Sequence, residues 1–249
     1  MIGEKRMSSE QEKKRLDQIA GYYEQAPFWE NYVKKCGDII APKICGKSVL
    51  EMGCSTLVLS KMLSATAGQF DIVEGSEVFA ELARDFFGDQ VSIYHSLFEE
   101  FTPQKEYDAV VLANTLHHLS DPEAILVRMK DWLALDGTVY ITVPNMKSIH
   151  RQLGVKIGLL ADLNSTSDRN DLFKQSGRYT KESLIAMCEA CGYCVTESYG
   201  FFLKPFSDEM MASLNPSQAL IDALFELGRE YEDGASLIYA ELAVKHEKK

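Results

Sequence analysis

The sequence contains no apolar run that is long enough to cross a membrane. Its most apolar stretch, Leu153–Leu163, is interrupted by Lys156, whereas a membrane-spanning helix needs about 20 consecutive apolar residues. The N-terminal stretch Met1–Arg15 is rich in charge and lacks the apolar segment of a secretory signal. These absences predict a cytoplasmic protein that does not act in a membrane.

Positive charge and disulfide-forming patterns are also scarce. The 249 residues include 26 lysines and arginines against 37 aspartates and glutamates, which gives a formal net charge of -11. An acidic chain repels a phosphate backbone, so we expect no nucleic-acid partner. The six cysteines stand in a chain too large to depend on disulfides, and we expect reduced thiols. Cys188, Cys191 and Cys194 span the end of a predicted helix, where three sulfurs would not converge, so we predict no metal site.

Apolar segments alternate with helical patterns along most of the chain. The predicted strands are Ser48–Met52, Phe70–Glu74, Val91–Tyr94, Tyr107–Ala113, Thr138–Val143, Val195–Gly200 and Ser236–Val244. The predicted helices are Ser9–Gly37 with a break at Pro27, Pro122–Leu133, Lys181–Cys191 and one that starts at Asn215-Pro216. Strands that alternate with helices need crossover connections, which predicts an α/β fold with a mostly parallel sheet.

The strongest site signal follows the first predicted strand, which carries Glu51 and leads into Gly53. Ligands of open α/β sheets bind outside the carboxyl ends of the strands, and a glycine lets the backbone approach a ligand closely. Glu74 lies 23 residues after Glu51, where a carboxylate can accept hydrogen bonds from both hydroxyls of a ribose. The glycines of a nicotinamide site are missing, which disfavours an oxidoreductase. A tight turn with two surface acids is the alternative that needs no ligand.

Five segments in this order resemble the class I S-adenosylmethionine-dependent methyltransferases, and the branch with the ubiquinone-pathway O-methyltransferases above all. They are VLEMGCSTLVLS, FDIVEGSE, YHSLFEEF, YDAVVLANTLHHLSDPEAIL and GTVYITVPN. The resemblance is strong over about Lys47–Asn145 and looser as far as Gly200. It implies a Rossmann-like, seven-stranded, mostly parallel sheet with helices on both faces and an antiparallel last strand. It also implies S-adenosylmethionine as the cofactor and S-adenosylhomocysteine as its product.

We expect one methyltransferase domain over residues 1–249. Within it we predict an N-terminal helical cap (1–45), a cofactor-binding core (46–145) and two substrate or lid insertions (146–180 and 201–235). The apolar face of the last predicted helix, Pro216–Glu232, has two candidate partners, its own sheet or a second subunit, so a homodimer stays open.

The resemblance implies cofactor contacts at four strand ends. The first motif, with Glu51, Gly53 and Ser55, is expected near the methionine part, and Glu74 is expected to bind the ribose. Gly75, Ser76, Ser96, Leu97 and Phe98 are expected near the adenine, and Ala113 and Asn114 beside the methionine part. Ser55 and Leu57 stand where the family usually has glycines. This departure motivates the alternative function, a degenerate cofactor-binding protein without catalysis that acts as a regulatory subunit.

Methyl transfer from a sulfonium is a direct displacement, so the protein mainly has to align acceptor, methyl carbon and sulfur. A hydroxyl acceptor must also lose its proton, and histidine is the best-matched base near neutral pH. His150, just beyond the fifth strand, is the first candidate for this base, and His117 is the second. His118 matches a family histidine that packs and fixes the loop beside the acceptor. We expect a positional role for His95 and none for His246.

Cationic side chains stand in segments expected to line the substrate entrance of this acidic chain, namely Arg151, Arg178 and Lys204. Arginine suits bidentate recognition of a carboxylate or phosphate. We therefore hypothesise a small anionic acceptor, such as a phosphorylated or carboxylated metabolite or a nucleotide sugar, that is methylated at oxygen. Ordinary solvated cations are the alternative.

An aromatic cluster near the N-terminus is the last candidate feature. Tyr22 and its neighbours Tyr23, Phe28 and Trp29 have two interpretations. They close over the bound molecules and stabilise the sulfonium by cation–π attraction, or they pack as a hydrophobic staple onto the sheet.

Overall fold

Residues 8–23, 28–165 and 177–245 are described in the computed structural model. Their strands are β1 Ser48–Met52, β2 Gln69–Glu74, β3 Ser92–His95, β4 Tyr107–Ala113, β5 Leu133–Pro144, β6 Tyr193–Phe201 and β7 Leu237–Val244. Their α-helices are α1 Ser9–Tyr23, α2 Trp29–Ile40, α3 Val58–Ser64, α4 Glu77–Phe87, α5 Pro122–Met129, α6 Ile149–Lys156, α7 Lys181–Ala190, α8 Asp208–Ser213 and α9 Gln218–Glu230.

All seven strands form one sheet in the order β3-β2-β1-β4-β5-β7-β6. The strands from β3 to β5 pair in parallel, whereas β7 lies antiparallel between β5 and β6. The predicted Rossmann-like sheet with an antiparallel last strand is therefore confirmed. Because β1 pairs with β2 on one side and β4 on the other, the chain reverses direction across the sheet at β1, and such a switch point is where open α/β sheets bind ligands.

The apolar pattern of the strands explains this architecture. Val110, Val111 and Leu112 in the central strand β4 are fully buried, as expected for a strand covered on both faces. Two hydrophobic clusters lie on the two faces, one with residues of α2, α3, α4 and α9, the other with residues of α5 and α7. Ile221 and Phe225 of α9 are buried in the first cluster, so this helix packs on its own sheet.

Polar caps start several of the helices where the sequence predicts them. Asp121 accepts a hydrogen bond from the Ala124 N–H at 3.0 Å, and Thr180 forms a capping box with Ser183. Such caps satisfy N–H groups that lack partners in the first turn.

Some predicted boundaries were wrong by a few residues. The helix from Pro122 leaves the α-helical geometry at Met129, and Leu133 already pairs in β5. The last helix begins at Gln218 rather than at Asn215-Pro216, because Ser217 accepts the cap hydrogen bond from Leu220. The predicted helix Ser9–Gly37 is two helices, α1 and α2, and its expected break at Pro27 lies outside the described residues.

No helix in the described ranges combines the length and apolarity that a bilayer crossing requires. The six cysteines are free thiols, of which Cys188 and Cys191 are buried and Cys194 is exposed. Within the part of the chain that the structure describes, no three histidine, cysteine or acidic side chains are grouped to hold a metal ion.

Candidate active site

The turn between β1 and α3 keeps a glycine-like shape without all of the family's glycines. Gly53, Ser55 and Leu57 have φ angles of 87°, 45° and 66°, in the left-handed region where a residue with a Cβ pays about 1–2 kcal/mol. Leu57 is only 1% exposed and belongs to the hydrophobic cluster beneath α2 and α3. Burial of this side chain offsets the strain, which explains how leucine holds the turn.

Glu74, at the end of β2, joins this turn to the next one. Its carboxylate accepts hydrogen bonds from the N–H groups of Cys54 at 2.9 Å and Ser76 at 2.8 Å, and a longer one from Ser55 at 3.4 Å. Burial raises the pKa of Glu74, and these backbone N–H groups oppose that shift. The predicted ribose-binding acid is therefore held rigidly at the switch point of the sheet.

Glu51 is a second buried acid at the same edge, and its side chain is almost unpaired. The pKa of Glu51 is raised to about 8, mainly by burial and also by the charge of Glu74, while the Ser60 hydroxyl opposes the shift. Ser60 does not complete a hydrogen bond, so both Glu51 carboxyl oxygens lack a partner among the residues described. An unpaired buried carboxyl is costly, and a cationic ligand group would relieve that cost.

The other predicted cofactor residues gather around these two acids. Thr115, which follows the β4 end, donates to the Met52 carbonyl at 2.9 Å, and Asn114 (φ 55°) follows Ala113 with its Oδ1 unpaired within the described ranges. A Cβ on Gly53 would lie 3.6 Å from Phe98. The ends of β2 and β3 are joined by the Ser96 N–H, which donates to the Glu74 carbonyl. The structure thus brings together, at one edge, Glu51, Gly53, Ser55, Glu74, Gly75, Ser76, Ser96, Leu97, Phe98, Ala113 and Asn114.

The two histidines that follow β4 lie side by side, with ring centroids 4.1 Å apart. His117 is buried, and burial together with neighbouring His118 holds its pKa well below the usual value. Its Nδ1 has no hydrogen-bond partner in residues 8–23, 28–165 and 177–245. His117 is therefore neutral at pH 7, with one ring nitrogen available.

His150, in the first turn of α6, is neutral for a similar reason. Its pKa is lowered to about 3, mainly by burial and also by the nearby charges of Lys204 and Arg151, while Asp208 opposes the shift. Its Nδ1 is also buried and unpaired within the described part of the chain. His150 therefore stays in its proton-accepting form over the physiological range, but its low pKa makes it a weak base.

Arg151 and Arg178 lie together at a small cavity that they line with His117 and with residues from the end of β5. The Arg151 Nη2 donates to the carbonyls of Leu163 and Ser165 at 2.8 and 2.7 Å, and Arg178 donates to the Asn164 carbonyl. The buried Arg151 Nε has no partner in the described ranges. Both arginines thus hold the 163–165 backbone, and the buried Arg151 Nε is available to a ligand.

Lys204 occupies a different environment from the two arginines. It is 7% exposed and pairs with Asp208, which is 8% exposed. The Tyr32 hydroxyl of α2 donates to the other oxygen of Asp208 at 3.3 Å. The left-handed φ of 66° at Phe202 turns the chain after β6 toward this cluster. The Asp208 partner of Lys204 was not predicted, and the only sequence signal for the pair is their i,i+4 spacing.

The N-terminal aromatic residues divide between described and undescribed positions. Phe28 and Trp29 are buried, and Phe28 stacks on Phe202 with ring centroids 6.1 Å apart, which agrees with the packing interpretation. The side chain of Tyr22 and the residue His246 lie outside what the structure describes. His95 contacts the Gly75 carbonyl through Nε2 at 3.2 Å and pairs with Glu77.

With this geometry established, comparison with known proteins identifies the class. The family model described as "Methyltransferase domain" matches residues 23–198. The match spans more than half of the chain, so the protein belongs to this family. The predicted class, the class I S-adenosylmethionine-dependent methyltransferases, is confirmed, and S-adenosylmethionine is its cofactor.

Individual relatives are more distant. The ubiquinone biosynthesis O-methyltransferase of Aromatoleum aromaticum is 28% identical over 107 residues, which cover 41% of this chain and 46% of that protein. The match thus spans about half the length of this curated relative. A possible histamine N-methyltransferase of Thermotoga maritima has the same fold with a TM-score of 0.65 at 16% identity, over 94% of this chain and 99% of that one. DhpI, solved with S-adenosylhomocysteine, has the same fold with a TM-score of 0.61 at 16% identity, over 96% of this chain and 98% of that one.

Proposed function

We propose that the protein transfers a methyl group from S-adenosylmethionine to a small anionic acceptor, at an oxygen atom. The observation that carries this proposal is the pair of buried acids at the switch point, of which Glu51 has no hydrogen-bond partner among the described residues. S-adenosylmethionine brings a sulfonium and an ammonium group, whose positive charges would stabilise the ionised form of Glu51 against the burial that raises its pKa.

Each side of the site has residues for one part of the cofactor. Glu74 accepts hydrogen bonds from the ribose hydroxyls, and Gly75 with Leu97 borders the adenine. Glu51 and the unpaired Asn114 Oδ1 receive the ammonium of the methionine part. When bound, the cofactor supplies a methyl group on a positively charged sulfur, which is already an activated leaving group. The protein's main contribution is alignment.

On the acceptor side, His150 and His117 present neutral rings with unpaired nitrogens in the part described. Each accepts a hydrogen bond from the acceptor hydroxyl and orients its oxygen. A pKa of about 3 for His150 is too low to remove the proton of a free alcohol. An oxygen that is being alkylated becomes a far stronger acid, so the neutral histidine takes the proton late in the displacement.

The anionic group of the acceptor binds at the cavity of Arg151, Arg178 and His117. The buried Arg151 Nε lacks a partner among the described residues, and a carboxylate or phosphate oxygen accepts a hydrogen bond from it. His118 lies beside His117, with ring centroids 4.1 Å apart, while Lys204 borders the acceptor from the β6 side. Lys204 is neutralised by Asp208, so the arginines carry the charge recognition.

The cofactor half of this proposal is tested by calorimetric titration with S-adenosylhomocysteine. Glu74→Ala removes two hydrogen bonds from a charged acceptor, so we expect at least about 100-fold weaker binding. Glu81→Ala, at an exposed position on α4, is the control and should bind as the wild type does. Unchanged affinity in Glu74→Ala would refute the ribose assignment, and binding of NAD instead would indicate an oxidoreductase.

The acceptor half is tested with methyl-labelled cofactor and a panel of hydroxylated carboxylates and phosphate monoesters. Arg151→Ala and Arg178→Ala should raise the acceptor KM about tenfold or more and leave S-adenosylhomocysteine affinity unchanged. Lys156→Ala in the same helix as Arg151 is the matched control. A fall in cofactor affinity with an unchanged acceptor KM would contradict an anion site.

A non-catalytic cofactor-binding protein is the second candidate, and Ser55 and Leu57 in place of glycines are the observation in its favour. Failure of the wild-type chain to bind S-adenosylhomocysteine at millimolar concentration would support a degenerate fold. Binding without turnover of any acceptor in the panel would support a regulatory subunit.

A further inference from the structure

Gly75 has no backbone reason to be a glycine. Its φ angle is outside the left-handed region in which glycines are required. A Cβ at this position would lie 2.7 Å from Leu16 Cδ1 and 3.3 Å from Leu97 Cδ2. The absence of a side chain at Gly75 therefore makes room for Leu16 of α1, a residue 59 positions earlier in the chain.

Asp17, the next residue of α1, also connects this helix to the turn after β2, through hydrogen bonds. Asp17 Oδ1 accepts from the Ser76 hydroxyl at 2.7 Å and from the Val78 N–H at 3.4 Å. At its other end, α1 donates from Ser9 to Glu100, in the loop that follows β3. Helix α1 is thus attached to both turns that border the adenine side of the site, those after β2 and β3.

The charge-rich composition of helix α1 makes its order depend on this docking. It includes Glu10, Glu12, Lys13, Lys14, Arg15 and Asp17, and an isolated helix of this length is marginal in water. Among its described side chains, Ile19 and Ala20 are buried. Its stability therefore depends on the surface around Gly75 and Ser76, which is the surface assigned to the adenosine part of the cofactor.

We propose that α1 is a part of the adenosine-binding site and that Leu16 supplies the apolar side chain that Gly75 lacks. Leu16 contacts the adenine ring together with Leu97, and Asp17 fixes α1 to the turn that carries Glu74. Asp17 is a positioning residue, because it acts through Ser76. The inference rests on the proposed function, since it needs an adenosine-containing ligand.

A side-chain swap tests this arrangement with S-adenosylhomocysteine as the probe. Leu16→Ala should weaken binding about tenfold, because an apolar contact with the adenine is lost. Gly75→Val should weaken it by a similar factor, because the new side chain displaces Leu16. The double variant Leu16→Ala/Gly75→Val moves the apolar group from one residue to the other and should bind within about threefold of the wild type. Gln18→Ala, exposed on the same helix, is the control.

Two outcomes would overturn the proposal. Wild-type affinity in Leu16→Ala would show that Leu16 does not contact the adenine, and equal affinities of Gly75→Val and the double variant would show that the two positions do not share one space. If Gly75→Val does not fold, hydrogen exchange of the wild type tests the proposal instead. Saturating S-adenosylhomocysteine should slow exchange of the α1 amides. Unchanged exchange would refute α1 as a part of the adenosine-binding site. A wild type that does not bind the probe would instead refute the proposed function itself, and the inference with it.

Discussion

At the scale of single residues, the site is defined by polar groups that the described chain leaves only partly satisfied. Glu74 is buried but accepts three backbone hydrogen bonds, so its geometry is set before any ligand arrives. Glu51 is buried with both oxygens unpaired in the described ranges. Such a group stores unfavourable free energy, and its protonation makes the stability of the fold depend on pH.

Glu51→Gln should remove part of that pH dependence. The folded protein holds a proton on Glu51 up to pH about 8, whereas the unfolded chain releases it near pH 4.5. Wild-type stability therefore falls as pH rises through this interval. At pH 8 we expect the neutral variant to unfold with a free energy about 2–4 kcal/mol higher than the wild type's, and with little difference near pH 4.5. Urea unfolding of both proteins at several pH values between 4.5 and 8 measures this difference in unfolding free energy.

Glu81→Gln, an exposed position on α4, is the control for that measurement and should follow the wild type at each pH. A Glu51→Gln variant with the same pH profile as the wild type would show that Glu51 is ionised in the folded protein.

At the scale of elements, short polar caps set where the helices begin, and the apolar face of each helix decides where that helix docks. Helix α7 begins at the capping box of Thr180 and Ser183, and its Leu184 and Cys188 are fully buried in the second hydrophobic cluster. Because the cap and the buried face lie on the same short helix, loss of the cap destabilises the packing of the whole helix.

Thr180→Ala should lower the free energy of unfolding by about 1 kcal/mol, since the Ser183 N–H loses its partner, the Thr180 hydroxyl oxygen. Thr180→Ser keeps the hydroxyl and should restore most of the stability. Chemical denaturation compares the three proteins, and S-adenosylhomocysteine affinity should be the same in all of them. Equal stability of Thr180→Ala and the wild type would mean that the cap makes no net contribution.

At the scale of the whole molecule, close backbone contacts join elements that are distant in sequence and shape the acceptor side. Gly228 of α9 lies directly against the backbone of Phe202 and Leu203, which lead from β6 to Lys204. An added Cβ would overlap the Phe202 nitrogen and lie 2.8 Å from that of Leu203. Rotation of a side chain cannot relieve a clash with backbone atoms, so α9 would have to move away from β6.

Gly228→Ala should therefore destabilise the fold by about 2–4 kcal/mol, measured as a lower thermal unfolding midpoint. Gly234→Ala is a matched control, because its Cβ would meet Leu203 Cδ1 at 3.7 Å and Ile149 Cβ at 4.0 Å, both ordinary van der Waals contacts, and it should unfold close to the wild-type temperature. If both variants were equally stable, the contact between α9 and β6 would be looser than the structure shows.

The sequence by itself determined the strands, the capped helices and the two acids at strand ends, because apolar periodicity, caps and turn residues act between neighbours in the chain. β1 and β4 were predicted to the residue, and Glu51 and Glu74 follow from their places at the ends of predicted strands. The family motifs, which are also local, pointed to the cofactor.

Only the tertiary structure decided which distant residues meet and how burial changes their chemistry. Asp17 meets Ser76 across 59 residues, and Tyr32 meets Asp208 across 176. The neutral state of His150 comes from its burial and from charges on other elements. No local pattern encodes these features, because proximity and desolvation arise only when the sheet brings its strand ends and covering helices together.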